Sequence, residues 1–472
     1  MKTVEEIFDG VNTPGEIINI LQSQSKSCPD WADIEKDFDD QKHPIKADPT
    51  LRPDEKTDQQ TKKREIPAKL TYPVEQIATR RMTQMAFSIP VKRVYNKTDD
   101  EKEKQFQKAI EAVYHSVRIN GINGKRFYAY FASCEMTTIW YMVEMKESHN
   151  LYGFDAKEKI RCRCFSPMPK KFSKISNATV YPYFDENDDL IVLSVYYQDS
   201  ENVTHLDAYT ADNKYSYTFK DGDWQAEDFP NPSGKIPGAY IQRPLPIFNG
   251  VCDNRNDIEF TLSRDSDILR KNASPIIKVV GELLGTPPVG DYATKVVRVQ
   301  GGGDVGVMSP PLTTNDAKVH VEMLKQINEE VLQLPDLSME NVKGLNAQSG
   351  EARKTLLTDA HLKVGEEAAD IVEFLDREFS VIKSLLVIMN PAFKPYQNTT
   401  TCEHILTPFI QNDTTTDINN YSKAAGTLVS QRTAIELAGL VQDPDAEMET
   451  INKEKQADAD LQRSVDVFEG SM

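Results

Sequence analysis

The feature that most constrains this chain is one long stripe of apolar residues in its second half. From Leu356 to Leu386 the apolar positions recur every four or three residues, which is the period of one face of an α-helix. Asn390-Pro391 ends the pattern, and Gly365 marks the expected bend, because glycine destabilises a helix interior by about 1 kcal/mol relative to alanine. About 40 helical residues would span roughly 60 Å. We therefore expect a helix that crosses between regions or between subunits.

The rest of the chain alternates between helical and β patterns, in an order typical of an α+β protein. Asn120-Gly121 and Asn123-Gly124 are predicted turns, so Tyr128-Ala-Tyr-Phe131 is predicted to begin a set of antiparallel hairpins that continues to Gln225. Residues 275–312 are β-like and rich in glycine and proline. Helices are predicted at 13–25, 73–87, 101–117, 254–272, 313–333, 417–428 and 430–440, and from 443 onward.

Residues 28–64 are expected to be a mobile arm. They are polar, contain Pro44, Pro49 and Pro53, and end in a charged run that begins at Asp54. A segment with so few apolar residues buries too little surface to offset its loss of conformational entropy. We predict that it becomes ordered only where something covers it.

The composition excludes several classes of protein. The 472 residues include 55 lysines and arginines against 73 aspartates and glutamates, which gives a formal net charge of −18. Phosphate binding needs a concentrated positive field, so this balance disfavours a basic nucleic-acid reader. The chain has no long apolar run and no apolar leader, so we expect neither a membrane span nor a signal peptide. Six scattered cysteines do not have the spacing of a disulfide framework, and we expect a reduced, intracellular chain.

Three motifs that could hold a ligand each have a structural alternative. Gly301-Gly-Gly-Asp-Val-Gly306 has the spacing of a dinucleotide loop, but Ser309-Pro310-Pro311 follows where a helix must begin, so a glycine-rich β-turn is favoured. Cys162-Arg-Cys164 has no second pair at zinc-site spacing and is predicted to pack on one face of a strand. Asp185-Glu-Asn-Asp-Asp189 begins like a calcium loop, yet Leu190 replaces the required glycine, which favours a polar hairpin turn.

The chain also lacks the sequence patterns of serine hydrolases, P-loop NTPases, protein kinases and zinc proteases. We therefore predict no catalytic residues, no metal site and no cofactor. A strand-rich body followed by helix, β insert, helix, loop, long helix and helical cap is an arrangement that suits an assembly component better than a catalyst.

One stretch resembles a known family. Leu334-Pro-Asp-Leu-Ser-Met-Glu-Asn-Val-Lys-Gly-Leu-Asn-Ala-Gln-Ser-Gly350 is similar to the V-P-D-L-S-x-E-x-F-G-G…S-G stretch of SPP1-type tailed-bacteriophage portal proteins, which joins a stem helix to a long bent helix. Weaker matches run through roughly residues 65–455, among them Gly234-Lys-Ile-Pro237 and Asp265–Pro275. The chain departs from the family at Val342-Lys343, where Phe-Gly is common, and in its long polar N-terminal arm.

The resemblance implies an α+β portal-type fold that forms a ring oligomer. The fold would have a strand-rich wing, a helical stem with a small β clip insert, a long bent helix and a helical crown. The implied boundaries are a partly disordered N-terminal arm at 1–64, the wing at 65–253, stem helices at 254–273 and 313–333, the clip at 274–312, the channel (tunnel) loop at 334–349, the long bent helix with a return strand of the wing at 350–412, and the crown and tail at 413–472.

The resemblance also implies where function resides. The clip would dock the packaging motor and then the tail adaptor. Lys318 and Lys325 on the stem, and Lys343 on the loop, are candidates for transient phosphate contacts, with solvated surface lysines as the equally weighted alternative. The clip residues would be Lys278, Glu282, Tyr292, Lys295 and Arg298, and the DNA-channel loop residues would be Asp336, Ser338, Glu340, Asn341, Lys343, Asn346 and Gln348.

The implied function is a ring of about twelve subunits at one capsid vertex, through which double-stranded DNA is packaged, retained and ejected. An acidic wall suits such a conduit, because it repels phosphate. The partners would be further copies of the chain, DNA held transiently and without sequence specificity, the terminase large subunit, the head–tail adaptor and the major capsid protein, with a scaffold protein as a further candidate. The protein would occur in the virion and, during assembly, in the host cytoplasm. The alternatives are another head–tail connector or adaptor ring and, with least support, an enzyme acting on nucleic acid.

Overall fold

The computed structural model describes residues 2–8, 12–23, 27–57, 64–272, 276–280, 304–308, 314–335, 357–409, 422–426, 428–438, 444 and 447–456. The chain divides into two compact units. The first comprises Met1–Pro335 and Asp359–Phe409, and the second comprises Asp336–Thr358 and Ile410–Met472.

Helices and strands alternate along the described residues. The helices are α1 (Val4–Ile7), α2 (Pro14–Ser23), α3 (Trp31–Phe38), α4 (Pro44–Ala47), α5 (Val74–Phe87), α6 (Glu101–Val117), α7 (Ile119–Ser133), α8 (Cys252–Asn272), α9 (Thr314–Leu332), α10 (Thr358–Met389) and α11 (Gln431–Ala438), with a 3-10 helix at Pro391–Tyr396. The strands are β1 (Lys56–Thr57), β2 (Arg64–Glu65), β3 (Lys92–Tyr95), β4 (Glu135–His149), β5 (Ala156–Ser166), β6 (Ser176–Asn177), β7 (Thr179–Phe184), β8 (Leu190–Gln198), β9 (Thr204–Tyr209), β10 (Asn213–Lys220), β11 (Asp223–Pro230), β12 (Gly238–Gln242), β13 (Ile276–Val280), β14 (Asp304–Met308) and β15 (Cys402–Ile405).

Two sheets form the strand-rich body, as the alternating sequence pattern predicts. One is an antiparallel sheet in the order β11-β10-β9-β8-β7, and the other has the order β12-β4-β5-β6. Their facing apolar side chains make one core, which includes Ile139, Phe165, Val180 and Leu193. A Cβ at Gly238 would lie 2.6 Å from Ile139 Cδ1 and 3.0 Å from the Thr138 carbonyl oxygen, so a larger residue here would make the core side chains shift.

The aspartate-rich segment between β7 and β8 is a hairpin turn, as predicted. Asp185 Oδ1 accepts hydrogen bonds from the backbone N–H of Asn187 at 2.8 Å and of Asp189 at 2.9 Å. Asp188 adopts a positive φ of 62°, which aspartate tolerates better than most residues. The carboxylate of Asp185 therefore stabilises its own turn.

Helices α1 and α2 cover the outer face of the five-stranded sheet. Ile7, Ile17, Ile18 and Leu21 are buried against Tyr183, Val192 and Leu206 of that sheet. The Phe8 and Tyr215 rings stack with their centroids 3.9 Å apart. The predicted helix at 13–25 is confirmed, and its apolar face is the buried one.

The prediction of a mobile arm at 28–64 is wrong for the described residues 28–57. Helices α3 and α4 lie in this segment, and Ile34, Phe38 and Ile45 are buried. The Phe38 ring packs edge-on against the rings of Phe172 (5.3 Å) and Tyr128 (6.5 Å). Burial of these few apolar side chains, together with buried ion pairs to other elements, offsets the conformational entropy that this polar segment loses on ordering. Residues 58–63 lie outside the described residues.

The prediction of a first strand at 128–131 is also wrong. Arg118, at φ 57°, ends α6, and α7 begins immediately after it and runs through both predicted Asn-Gly turns to Ser133. Phe127, Tyr130 and Phe131 fall at helical spacing and are fully buried. Glycine is tolerated inside a helix whose aromatic face is buried, since tertiary packing overrides local propensity.

The long apolar stripe forms α10, which is continuous through Gly365 over its 32 described residues. Its buried face, with Phe379, Ile382 and Leu386, packs on α6 and on Trp140 of β4 in one apolar cluster. After α10 the chain returns through β15, which pairs antiparallel with β3. The part of the predicted helix at 350–356 lies outside the described residues.

In the second unit, α11 agrees with the helix predicted at 430–440, and a further helical segment occupies 447–456. Lys455 Nζ donates to Gln431 Oε1 at 3.1 Å, so the two segments contact each other. Half of the helix predicted at 417–428 lies outside the described residues. In the other half, 422–424 are helical, but the helix does not continue to 428, because Ala425 forms a bridge with Val429 and Gly426 adopts a positive φ of 77°.

Candidate channel and stem site

Helices α8 and α9 form an antiparallel pair, and a two-stranded antiparallel sheet lies between them in the sequence. Asn254 donates to Asn328 at 3.0 Å, and Asp257 contacts His320 at 2.9 Å. Strand β13 follows α8, and β14, which pairs antiparallel with β13, precedes α9. Both helices were predicted from periodicity, as was the β character of the insert between them.

The two lysines predicted to lie on the stem, Lys318 and Lys325, have different environments. The Lys318 side chain is 71% exposed, and its nearest carboxylate is Glu322 at 3.7 Å. Lys325 Nζ lies 5.5 Å from the centroid of the Tyr72 ring, a cation–π contact within the chain. Lys318 therefore remains available for a ligand, whereas the Lys325 ammonium is partly engaged.

Most of the other predicted site residues lie outside the described residues. Lys278 is on β13, opposite Gly306 of β14. Gly306 thus stands inside a strand and does not open a helix, in keeping with the β interpretation of the glycine-rich motif. The clip residues Glu282, Tyr292, Lys295 and Arg298, and the loop residues Asp336, Ser338, Glu340, Asn341, Lys343, Asn346 and Gln348, fall on residues that are not described.

One face of α9 carries an exposed apolar row that the sequence did not indicate. Val321, on the apolar face that the periodicity predicts, is buried, and so is Leu332. Val319 and Met323 are each 58% exposed, and Val331 is 45% exposed although the periodicity places it on the buried face. Val319 and Met323 (the α9 apolar row) lie about one helical turn apart and share one side of the helix, whereas Val331 lies about 120° around the helix from Val319.

A buried polar network fastens α8 to the N-terminal segment. His43 Nδ1 contacts Glu259 Oε1 at 2.7 Å, and neither side chain is exposed. His43 Nε2 contacts the Asp37 carbonyl oxygen at 2.8 Å, and Glu259 Oε1 also accepts from the Tyr72 backbone N–H at 2.7 Å. The His43 ring therefore bridges the backbone of α3 and a carboxylate of α8.

Arg255 lies at the centre of the same network. Its guanidinium donates to Asp37 Oδ1 at 2.9 Å and lies 3.0 Å from Glu75 Oε1 on α5. Burial raises the pKa of Glu75 to about 7, although the Arg255 charge opposes that shift. About three turns further along α8, Asp267 pairs with Arg52, which also donates to the Ala68 carbonyl oxygen at 2.6 Å. The segment predicted to be mobile is thus bound to α8 at three charged positions.

The raised pKa of Glu75 predicts a pH dependence of stability. The folded protein binds more protons than the unfolded chain between the ordinary pKa of 4.5 and about 7, so its stability falls as pH rises through that window. We expect wild type to lose about 2–3 kcal/mol relative to Glu75→Gln between pH 5 and pH 8, measured by urea unfolding. Glu322→Gln, on the exposed side of α9, should instead follow wild type. Parallel curves for wild type and Glu75→Gln would contradict the assignment.

A second buried ion pair joins α7 to the long helix. Arg126 donates to both oxygens of Glu378, at 2.6 and 2.7 Å, and neither side chain is exposed. Trp140 Nε1 donates to Glu378 Oε1 at 2.9 Å. Burial alone would lower the pKa of Arg126, but the Glu378 carboxylate outweighs burial and raises it. One sequence signal could have found the pair: Glu378 occupies a position of the α10 stripe where an apolar residue is expected.

The described residues contain no group of three or more His, Cys, Asp or Glu side chains that could hold a metal ion. Cys162 and Cys164 lie on β5 beside the buried Arg126, as the packing interpretation predicts. None of the helices in the described part of the chain combines the length and apolar character needed to cross a membrane.

Comparison with solved structures finds gene transfer agent particles. The chain is 10% identical to the "Neck of native GTA particle computed with C12 symmetry", with a TM-score of 0.39 over 78% of this chain and 90% of that chain. It is also 10% identical to the "Neck of empty GTA particle computed with C6 symmetry", with a TM-score of 0.37 over the same shares. Identity to the "Virion of native gene transfer agent (GTA) particle" is 9%, with a TM-score of 0.36 over 91% of this chain and 99% of that chain.

Comparison with protein families is decisive. No curated protein matches the chain. The model of the family described as phage portal protein, SPP1 Gp6-like, matches residues 40–461 of the 472. Because this match spans nearly the whole sequence, the chain belongs to the SPP1 Gp6-like family of phage portal proteins, which places it at the connector between phage head and tail.

Proposed function

We propose that copies of this chain close into a ring of about twelve subunits and that double-stranded DNA is packaged, retained and ejected through its bore. Family membership supports the proposal. The structural observation that carries it is the α9 apolar row, which a single chain leaves in water.

The α9 apolar row fits a contact between neighbouring subunits. Val319 and Met323 lie on a helix whose other face already packs within the chain, and both side chains are more than half exposed. Burying them would contribute roughly 25 cal/mol for each Å² of apolar surface removed from water. A ring uses two different faces of each subunit, which suits a helix that is apolar on both sides.

The charges of the stem suit a conduit. The exposed charged side chains described on α8 and α9 are of both signs, with Asp253, Asp257 and Glu330 opposing Lys318 and Arg264 among them. Affinity for DNA requires several cations to release condensed counterions together. A stem with charges of both signs therefore contacts phosphates transiently and does not bind DNA tightly.

We assign regions by family resemblance. The sheets and α5–α7 would form the wing, α8 and α9 the stem, 274–312 the clip, 334–349 the channel loop, and residues from 413 the crown. Lys343 on the loop and Lys318 on the stem are the proposed phosphate contacts. The clip would dock the terminase large subunit during packaging and the head–tail adaptor afterwards, and the ring would meet the major capsid protein in the virion. Portal proteins are structural, and we propose that this chain has no catalytic activity.

The ring predicts a large effect for charges placed in the α9 apolar row. Val319→Glu combined with Met323→Glu should abolish rings, because two buried carboxylates would lie in the subunit contact without partners. We expect wild type to elute as a ring of about twelve subunits and the double variant as monomer, measured by size-exclusion chromatography with light scattering and by negative-stain microscopy.

Lys318→Glu is the matched control, since it changes the charge of the same helix by the same amount outside the row and should still form rings. Circular dichroism of the double variant should equal that of wild type. Rings formed by the double variant, or a wild type that stays monomeric at every concentration, would contradict the proposed assembly.

A further inference from the structure

A basic pocket lies on the wing-like part of the first unit, between α7, β5 and the segment that leads to β6. It has a volume of about 430 Å³. Four cationic side chains line it, Lys125, Arg163, Lys170 and Lys174, and no carboxylate does. We call these four residues the wing pocket cations.

The wing pocket cations have no carboxylate partner among the residues that the structure describes. Their neighbour Lys171 shows the contrast: it lies 2.7 Å from Asp39 and 3.0 Å from Glu35, and it does not line the pocket. In a chain with a formal net charge of −18, four cations around one concavity with no internal neutralisation form a local positive field. Such a field concentrates anions.

Arg163 is oriented for a ligand. Its Nε donates to Ser176 Oγ at 3.3 Å, and its guanidinium lies over the rings of Phe165 at 4.7 Å and Tyr197 at 4.8 Å. These contacts fix the plane of the guanidinium, which also hydrogen-bonds to Tyr197 and pairs with no carboxylate of the described residues. A planar guanidinium matches two oxygens of one phosphate group.

We propose that the wing pocket binds a phosphate-bearing ligand, with Arg163 as the bidentate donor and Lys125, Lys170 and Lys174 as the surrounding charges. Phosphate suits the wing pocket cations better than carboxylate does. It offers more oxygens to the forked N–H donors of the Arg163 guanidinium and carries more charge toward the three lysines. The volume accommodates a short stretch of single-stranded backbone or a small polyphosphate. The proposal requires neither ring formation nor passage of DNA.

The first test measures binding of a fluorescent single-stranded DNA of about twelve nucleotides by anisotropy. If four phosphates are neutralised, raising salt from about 50 to 200 mM should weaken wild-type binding about 50-fold. The double variant Lys170→Ala with Lys174→Ala retains two phosphate contacts. Its affinity for the oligonucleotide should fall by only about 7-fold over the same range of salt. At the lower salt the double variant should bind at least about 10-fold more weakly than wild type.

Lys146→Ala combined with Lys157→Ala is the matched control. It removes two exposed charges from the β4–β5 hairpin outside the pocket and should retain wild-type affinity and salt dependence. Equal losses in both double variants would overturn the proposal, because the effect would then come from overall charge. Wild-type binding by the pocket variant would overturn it as well.

Competition identifies the source of the phosphate. Inorganic pyrophosphate should displace the oligonucleotide from wild type. If unlabelled oligonucleotide displaces it more strongly than pyrophosphate does, the natural ligand is a nucleic-acid backbone. If pyrophosphate is the stronger competitor, the natural ligand is a small phosphate. Both orders support a phosphate site. Displacement by polyglutamate as effective as that by pyrophosphate at equal charge would overturn it in favour of an acidic peptide.

Discussion

Replacing Glu378→Leu is expected to lower the free energy of unfolding by about 3–5 kcal/mol. The substitution leaves the Arg126 guanidinium fully buried without its bidentate partner and removes the acceptor of Trp140 Nε1. Arg126 cannot relieve the cost by losing its proton, because arginine stays charged in proteins. Urea unfolding followed by tryptophan fluorescence measures the loss as a shift of the midpoint with unchanged slope.

The double variant Arg126→Met with Glu378→Leu distinguishes the pair from ordinary packing. It should recover most of the loss, since apolar side chains of similar volume replace a buried pair at little cost. Glu373→Ala on the same helix removes an exposed partner of Arg377 and should cost no more than about 1 kcal/mol. Additive losses in the double variant would show that the two side chains do not act as a pair.

Replacing Arg255→Met is expected to cost a similar amount at pH 8, about 3–5 kcal/mol, because Glu75 stays buried without a cation and Asp37 loses its ion pair. The loss should shrink at pH 5. The pKa of Glu75 is about 7, so at the lower pH the carboxyl is neutral and needs no partner. Unfolding at both pH values measures the difference.

Hydrogen exchange gives a second readout for Arg255→Met. Amide exchange in α3 should rise, since Asp37 anchors that helix to α8 through Arg255. Arg264→Met, at an exposed position of the same helix, should change neither stability nor exchange by a measurable amount. Unchanged exchange in α3 for Arg255→Met would mean that the apolar contacts of Phe38 hold the segment without the ion pair.

The amphipathic and alternating parts of the fold were predictable from the sequence. Helices α6, α8 and α9 and strands β7 and β8 follow their periodicity to within a few residues. Helix α7 was not predictable in this way, because its two Asn-Gly pairs are typical of turns, and only burial of Phe127, Tyr130 and Phe131 makes the helix favourable. Local propensity is a weak guide wherever tertiary contacts decide.

The segment at 28–57 and the candidate site show a second limit of prediction from the sequence. Helices α3 and α4 are held by contacts to residues some 200 positions away, such as His43 to Glu259. Composition alone does not show such pairs. The same holds for Arg126 with Glu378 and for the wing pocket cations, which come from three separate elements. Periodicity finds apolar faces, whereas buried ion pairs and basic concavities depend on which elements meet.

The pairing of β15 with β3 bears on how the protein is made. Residues 402–405 complete a sheet begun at 92–95, and Thr400 donates to Glu103 at 3.1 Å beside them. A nascent chain still on the ribosome therefore presents β3 as an open edge until about residue 405 of 472 has emerged. Prematurely terminated chains lack β15 and leave β3 unpaired. We expect the cell's proteases to degrade such chains before they can join a ring.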